Sequence, residues 1–371
     1  MANPMMKKWA AALVKFSAPV KPGDSVLITG GVEAEPLLRA VYAEVVEAGG
    51  YPVMVPTFTG IQASLLNNGT DEQLTWISPI ERFTREVADV TIVILADSNT
   101  RALSSVDPAR QAIFQGARRE LFKTYMQRDA DGTLVWTLTQ YPTDAFAQDA
   151  EMSTEDFADF VFKACMLDKD DPVAAWKVQS DKQQILVDWL TGKQEIRLTG
   201  EGTDLTVDVT GRKWINADGT KNFPDGEVFT GPVERGTEGY IRFNMPAMTH
   251  GRKIEGIRLK FESGKVVDAT ATKGEEFLLQ QLDIDEGARY LGEFAFGTHF
   301  GIQQFTGQIL FDEKIGGTVH MAVGAGYPET GNSNESAVHW DMICDLRQGG
   351  RVTVDGEPFL VDGKYLLWEK E

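Results

Sequence analysis

Apolar residues near the start of the chain switch between extended and helical spacing. Residues 25–29 and 51–56 are short apolar runs, and residues 36–48 between them have helical periodicity, with one apolar face formed by Leu37, Leu38, Val41 and Val45. Pro36 stands where the first turn of a helix tolerates proline, and Gly49 follows the last helical residue. The pattern predicts a strand, a helix and a second strand, which together form a βαβ unit.

The same alternation continues to residue 192. Further predicted elements are a strand at residues 90–95, a helix at residues 108–125 and a strand near residues 134–139. Two more helices follow, one that begins at Ser153 with Asp156 three residues later, and one at residues 172–190 that stops at Gly192. We therefore predict an α/β domain with a mainly parallel sheet over residues 1–192.

Beyond Gly192 the spacing of apolar residues becomes alternating, which is typical of strands. The predicted strands are residues 195–198, 204–209, 254–261 and 265–271. Residues 262–264 predict a hairpin turn, and residues 352–367 contain two Asp-Gly turns. A single helix is predicted at residues 275–282. The second half is thus predicted to be a strand-rich α+β domain, residues 193–371, and it is the half with the candidate chemistry.

The amino-acid composition argues against some classes of function. The chain has 371 residues, 42% hydrophobic and 25% charged, which is typical of a globular protein long enough for two domains. Its formal net charge of -19 repels phosphate backbones and anionic lipids, so we expect neither nucleic acid nor membrane partners. No stretch approaches the roughly 20 apolar residues of a membrane span. Residues 1–18 lack the features of a secretory leader, so we expect a cytoplasmic location.

Histidines and acidic residues are the candidates for chemistry, because Cys165 and Cys344 are too few and too far apart for a disulfide framework or a cysteine zinc site. Both cysteines are expected to be buried. His339 and Asp341 lie two residues apart in a predicted strand whose intervening positions are apolar. Period two directs both side chains to the same side, as two ligands of one ion require. Alone, the His-x-Asp motif is more typical of a surface ion pair.

A second predicted strand, residues 317–323, places His320 on the face opposite to its apolar side chains. Tyr327 follows after a glycine-containing turn, which would direct its phenol back toward the strand end. Taken singly, a histidine is more often structural and a tyrosine more often a packing residue. The other two histidines, His250 and His299, have no comparable setting and are expected to be structural or at the surface.

Two glutamates, Glu227 and Glu293, are each flanked by apolar and small residues. An isolated buried carboxylate is costly, so each requires a cation or a hydrogen-bond network. A metal ion is one solution, and the alternative partners are Arg235, Arg242 or Arg289. Carboxylates and imidazoles together hold divalent cations in hydrolases, and such ligands accept zinc, cobalt or manganese.

Six segments of the second half share their residues with a known family: residues 224–230, 237–239, 291–293, 310–313, 320–327 and 334–341. They resemble the aminopeptidase T / AmpS family of dinuclear metallo-aminopeptidases. The first half resembles the family more loosely, through residues 23–28 and 47–50.

The resemblance implies roles for individual residues. The implied ligands of two divalent metal ions are Glu227, Glu293, His320, His339 and Asp341, and Tyr327 would assist catalysis. The resemblance also implies a homodimer. The chain departs from the family at residues 314–318, which read Lys-Ile-Gly-Gly-Thr where the family more often has an Asn-Ala-Ser type of stretch, so the loop beside the site is expected to differ.

The leading hypothesis is release of N-terminal residues from short peptides by a water molecule that two metal ions activate. Glu293 or Glu227 would transfer the proton, and Tyr327 would donate a hydrogen bond to the oxyanion. One alternative is a mononuclear iron ring-cleaving dioxygenase related to dihydroxypyridine dioxygenases, in which some ligand positions are altered, whereas both glutamates and both histidines are present here. Another alternative is a nucleotide-binding protein that binds phosphate at Gly30-Gly31. The sequence around these glycines lacks the other residues of a phosphate-binding motif, so a simple turn is favoured there.

Overall fold

The structure, a computed structural model, describes residues 4–249 and 252–370. It divides into two compact units, one comprising Met1–Ala175 and Gly219–Pro224 and the other Trp176–Asp218 and Asp225–Glu371. The predicted boundary at residue 192 differs from this division over the helix Pro172–Leu190. Most of that helix groups with the second unit, because its Leu186, Val187 and Leu190 belong to the core of that unit.

The first unit has the α/β architecture that the sequence predicts. Its strands are β1 (Ser25–Gly31), β2 (Tyr51–Thr57), β3 (Val90–Leu95) and β4 (Val135–Gln140). Its helices are α1 (Pro4–Ala12), α2 (Glu35–Glu47), α3 (Ile61–Asn68), α4 (Asp71–Thr75), α5 (Pro79–Glu86), α6 (Pro108–Ala117), α7 (Arg119–Ala130), α8 (Asp144–Asp149) and α9 (Thr154–Ala164). The strands are parallel in the order β2-β1-β3-β4, so the mainly parallel sheet is confirmed.

Two helices of the first unit test the sequence patterns directly. The buried face of α2 consists of the four predicted residues, Leu37, Leu38, Val41 and Val45. The prediction of a single helix over residues 108–125 is wrong. Helix α6 ends before Arg118 and α7 begins after it, because the φ and ψ of Arg118, -93° and 0°, interrupt the helical path.

The second unit is rich in antiparallel strands. From residue 172 onward the helices are α10 (Pro172–Leu190), α11 (Glu275–Leu282) and α12 (Ile309–Asp312). The strands are β5 (Glu195–Gly200), β6 (Thr203–Asp208), β7 (Ile215–Ala217), β8 (Asn222–Phe223), β9 (Glu227–Thr230), β10 (Thr237–Arg242), β11 (Ala247–Thr249), β12 (Arg252–Ile254), β13 (Arg258–Glu262), β14 (Lys265–Thr270), β15 (Leu291–Gly297), β16 (Thr318–Gly324), β17 (His339–Asp345), β18 (Arg351–Val354), β19 (Glu357–Val361) and β20 (Lys364–Tyr365). Of these, β8 pairs with β4 and belongs to the parallel sheet of the first unit.

Two large sheets form the second unit. One has eight strands in the order β14-β13-β10-β6-β5-β18-β19-β20, and the other has five in the order β17-β16-β15-β9-β7. The predicted hairpin turn at Ser263 and Gly264 is confirmed, with φ of 50° and 78° at the two residues. Both Asp-Gly turns likewise have positive φ, as hairpins of this type require.

One continuous hydrophobic core fills the second unit. The five-stranded sheet contributes one face to this core, formed by Val228, Phe294, Phe296, Val319, Met321, Val323, Trp340, Met342 and Cys344. Cys165 and Cys344 are both buried, as predicted. None of the described helices combines the length and apolarity that a membrane crossing needs.

Candidate metal centre

The face of the five-stranded sheet that points away from this core bears all five predicted ligands. In an antiparallel pair, residues directly opposite each other share a face. Each candidate lies opposite a small residue: Glu227 opposite Gly297, Glu293 and Asp341 opposite Ala322, His320 opposite Ala295, and His339 opposite Gly324. The small residues leave space between the functional side chains, and the predicted same-face arrangement of His339 and Asp341 is confirmed.

Glu293 reaches this face through a β-bulge. The register between β15 and β16 shifts between Leu291 and Glu293, so that Leu291 points into the core although the two residues are two positions apart. Gly292 occupies the bulge, and a Cβ there would lie 2.1 Å from the carbonyl oxygen of Ala325. Only glycine fits such a close approach, which explains the Leu-Gly-Glu sequence.

Glu227 is positioned at the first residue of β9 by its neighbours. Gly226 has a φ of 128°, and a Cβ at this position would lie 2.7 Å from the Cβ of His299. The fully buried Gln183 of α10 donates a hydrogen bond from Nε2 to the Glu227 carbonyl oxygen at 3.0 Å. The Asp-Gly-Glu sequence therefore permits a tight turn directly before the carboxylate.

The side chains converge in two groups of three that share Glu293. One group is Glu227, Glu293 and His320, and the other is Glu293, His339 and Asp341. The Nε2 atom of His320 lies 3.0 Å from Glu227 Oε2 and 3.5 Å from Glu293 Oε1. The Nε2 atom of His339 lies 3.3 Å from Glu293 Oε2 and 3.6 Å from Asp341 Oδ2. The two oxygens of Glu293 thus face different imidazoles.

Two donor atoms of these groups, His320 Nδ1 and Asp341 Oδ1, are buried without a hydrogen-bond partner in the described part of the chain. Glu227 Oε2 and His320 Nε2 are also buried and face each other at 3.0 Å without forming a well-aligned hydrogen bond. Buried polar atoms are nearly always paired, so such a concentration calls for an explanation. Carboxylate oxygens and imidazole nitrogens are ligands of divalent cations. The donor set therefore fits a metal centre.

Opposing effects set the charges of this site. Burial lowers the pKa of His339, but Asp341 and Glu293 outweigh burial and raise it to about 10. Burial likewise lowers the pKa of His320, yet Glu227 and Glu293 raise it well above its usual range. Burial raises the pKa of Glu293, whereas contacts with His320 and His339 hold it below its ordinary value. Both imidazoles are therefore protonated at neutral pH in the metal-free chain, and a metal ion must displace those protons.

Three charged residues beside the predicted ligands were not identified as candidates from the sequence: Asp225, Glu313 and Lys314. The ammonium of Lys314 lies 2.7 Å from Glu227 Oε1, 2.7 Å from Glu313 Oε1 and 3.2 Å from Asp225 Oδ1. Burial raises the pKa of Glu313 to about 8 and that of Asp225 to about 7, although Lys314 acts to lower both. Glu313 also forms a third possible metal-binding group, with His320 and Asp341. The unusual sequence after Glu313 was the only signal for this cluster.

Two of the three arginines considered as alternative partners bind elsewhere, and the third, Arg235, is exposed. Arg242 pairs with Glu201 at 2.7 Å, and Arg289 pairs with Asp283 at 2.7 Å. The cations and imidazoles that meet Glu227 and Glu293 are Lys314, His320 and His339 instead.

Tyr327 lies next to His339, with ring centroids 5.2 Å apart. Burial and the charges of Glu293 and Asp341 raise the pKa of Tyr327 far above its usual range, so its phenol stays protonated and can donate a hydrogen bond. His299 is structural, as expected, since it is buried and its ring packs edge-on against Trp176 at 5.6 Å. His250 lies outside the described residues.

The centre opens to solvent on one side. The His339 side chain is 29% exposed and that of Asp341 is 14% exposed, whereas His320 is fully buried. A ligand would therefore approach from the side of His339.

Comparisons with known proteins agree with this geometry. The family model described as thermophilic metalloprotease (M29) matches residues 2–365. The chain is 30% identical to aminopeptidase 2 of Geobacillus stearothermophilus over 97% of each chain, and 27% identical to aminopeptidase T of Thermus thermophilus over 95% of this chain and 94% of that protein.

Two solved structures share the fold. Wild-type AmpT from Thermus thermophilus superposes with a TM-score of 0.85 at 25% identity, covering 98% of this chain and 99% of that chain. A 2,5-dihydroxypyridine dioxygenase from Pseudomonas putida superposes with a TM-score of 0.59 at 13% identity, covering 98% and 96%, a similarity that concerns the fold alone.

Proposed function

The chain belongs to the thermophilic metalloprotease family (M29), and on this premise we propose that it is a metal-dependent aminopeptidase that releases N-terminal residues from short peptides. The observation that supports this most directly is the convergence of Glu227, Glu293, His320, His339 and Asp341 on one face of a sheet, with unpaired buried donor atoms among them. Its relatives named as aminopeptidases align over nearly the whole chain. The ring-cleaving alternative has only the distant similarity of fold in its favour.

We assign two divalent ions, zinc, cobalt or manganese, to the two groups of three residues. Glu293 belongs to both groups, and its two oxygens face different imidazoles, so it would help to hold either ion. When bound, such ions lower the pKa of water and polarise a carbonyl group. The chain supplies the framework that places the donor atoms before any ion arrives.

Two residues are assigned to proton transfer and charge stabilisation. Glu293, whose pKa is held low by His320 and His339 against the effect of burial, is ionised and can carry a proton from water to the leaving amine. Tyr327, protonated and beside His339 on the open side, can donate a hydrogen bond to the oxyanion of the tetrahedral species.

Substrate preference follows from charge. The free α-ammonium group of a peptide complements a carboxylate-rich centre in a chain of net charge -19. A short peptide can enter with its N-terminus first from the side of His339, where the centre is open to solvent. Its positive charge then lies near the carboxylates of the centre. We also propose that the protein is cytoplasmic and a homodimer. Light scattering of the purified chain tests the number of subunits.

Replacing His339 with alanine tests the assignment. His339 is partly exposed, so its truncation removes a metal donor without opening a cavity in the core. We expect H339A to lose at least about a hundredfold in metal-dependent kcat/KM on aminoacyl p-nitroanilides, and to retain fewer ions by elemental analysis.

A matched pair of aspartates provides the control. D341N removes a proposed ligand, whereas D204N changes an exposed aspartate that pairs with Arg197 on the surface of the other sheet. D341N should lose both metal and activity, and D204N should keep both. Wild-type turnover by H339A would refute the assignment.

A further inference from the structure

Lys314 is buried among three carboxylates. Its side chain is only 1% exposed, and its ammonium contacts Asp225, Glu227 and Glu313. Lysine is almost never fully buried unless it is paired. A buried ammonium that touches a proposed metal ligand has an electrostatic effect on the metal centre, because both charges lie in a region of low dielectric.

The backbone around Lys314 fixes its position. The carbonyl oxygen of Lys314 accepts a hydrogen bond from the backbone of His299 at 2.9 Å, and its amide donates to Phe311 at 3.1 Å. Gly316 then lets the chain pass against Phe300, since a Cβ there would lie 2.7 Å from the ring. The Lys-Ile-Gly-Gly sequence is therefore suited to holding this side chain in one place.

Lys314 and His320 contact different oxygens of Glu227. The ammonium of Lys314 lies 2.7 Å from Oε1, and the Nε2 atom of His320 lies 3.0 Å from Oε2. Oε2 is buried, and His320 is the group that it faces in the metal centre. The carboxylate is thus divided between an ion pair on one side and the metal centre on the other.

We propose that Lys314 is a positioning residue of the metal centre: it binds Oε1 of Glu227 and so limits Glu227 to a single donor oxygen, Oε2, on the side of His320. This inference rests on the proposed function and goes beyond it. A ligand that gives one oxygen leaves a coordination position for water or substrate, which a catalytic site requires. The charge of Lys314 also offsets part of the negative charge of Asp225, Glu227 and Glu313, so an ion is held less tightly than by the carboxylates alone.

Cobalt provides a readout that does not depend on activity. The visible absorption of Co²⁺ weakens as its coordination number rises, so it reports whether Glu227 binds through one oxygen or two. We compare the full-length wild-type protein with K314M, which removes the charge at similar length, and with K314N, which replaces the ammonium with a shorter neutral amide.

D225N is the matched control. It removes another member of the same buried cluster while leaving the contact between Lys314 and Glu227 in place. K314M and K314N are expected to show weaker cobalt absorption than the wild type and to lose the ion to a chelator about tenfold more slowly, because an opposing charge is gone and Oε1 is free. D225N is expected to retain the wild-type spectrum.

Three results would overturn the proposal. The first is a wild-type spectrum and release rate in both Lys314 variants. The second is an equal spectral change in D225N, which would point to a general effect of the buried charges. The third is a K314N variant that does not fold even with cobalt present, as measured by circular dichroism. Lys314 would then be needed for folding and not for positioning Glu227. Failure of the proposed function is distinguishable, since the wild-type protein itself would then bind no cobalt or would bind it without cleaving aminoacyl p-nitroanilides.

Discussion

Each proposed ligand lies opposite an alanine or glycine across a strand pair, and this spacing creates the room for ions. Ala322 is opposite both Glu293 and Asp341 and is fully buried. A leucine at this position would extend into the space between the two carboxylates.

We expect A322L to lose bound metal while retaining its secondary structure, at a cost in unfolding free energy of about 1–3 kcal/mol from overpacking. Elemental analysis and urea denaturation measure the two effects. A269V, in a buried position of the eight-stranded sheet, should lose stability without losing metal. A full complement of metal in A322L would show that the small residue is not needed.

The pKa shifts of the two histidines give a pH dependence with a definite sign. His339 has an ordinary pKa of 6.5 that rises to about 10 in the folded chain. Its proton stabilises the metal-free fold fully below pH 6.5, and this contribution is lost as the pH rises toward about 10.

Metal competes with these protons, so affinity should increase with pH across the same window, and binding at pH 7.5 should release protons. Isothermal titration calorimetry in buffers with different ionisation enthalpies measures the number released. An observed enthalpy independent of the buffer would contradict the protonated state of His320 and His339 in the metal-free chain.

The sequence predicted the arrangement of His339 and Asp341 on one face of the sheet better than it predicted what surrounds them. The two-residue repeat of a strand placed the side chains of His339 and Asp341 on the same face, because this alternation depends only on neighbouring residues. Lys314 and Glu313 lie outside any strand, and nothing local distinguishes a lysine that pairs with distant carboxylates from one in solvent. Their burial depends on Asp225 and Glu227, which approach only when the chain has folded.

At the scale of elements, two features of the sequence decided which helices and strands could be predicted: the residues typical of helix ends and the spacing of apolar residues. Helix α10 has the predicted bounds, because Pro172 begins it and Gly192, with a φ of 83°, follows its end. Helix α5 was missed because it has only eight residues, so that its apolar pair Ile80 and Phe83, both exposed, is too short a pattern to detect. The bulge at Gly292 was also beyond prediction, since it depends on contact with Ala325, which follows the end of β16.

Helix α10 connects to the candidate centre through Gln183. This residue is fully buried, and its Nε2 donates to the carbonyl oxygens of Ala217 and Glu227 at 2.9 and 3.0 Å. We expect Q183M to reduce the free energy of unfolding by about 1–3 kcal/mol, since buried carbonyls lose their donor. Urea denaturation measures the loss. The adjacent Gln184 is exposed and bonds to Asp188, so Q184M should change stability little, and equal losses in both variants would contradict the argument.

At the scale of the whole molecule, all proposed ligands belong to the second of the two compact units. The first unit has its own parallel sheet, and no candidate ligand lies on its strands. Metal binding should therefore stabilise the two units unequally. Removing divalent ions leaves the carboxylates of the centre to be balanced by protons on His320 and His339 instead of by metal.

Hydrogen exchange with and without chelation tests this inequality. Binding stabilises what the ligand contacts, by an amount that grows with ligand concentration above Kd. We expect chelator treatment to increase exchange in β15, β16 and β17 at least about tenfold and to leave β1 and β3 within about twofold of the metal-loaded protein, because local opening depends on local free energy. H339A, already short of one ligand, should respond less to the chelator. Equal acceleration in both sheets would mean that the two units unfold together, and no change in either would mean that the metal contributes nothing to the fold.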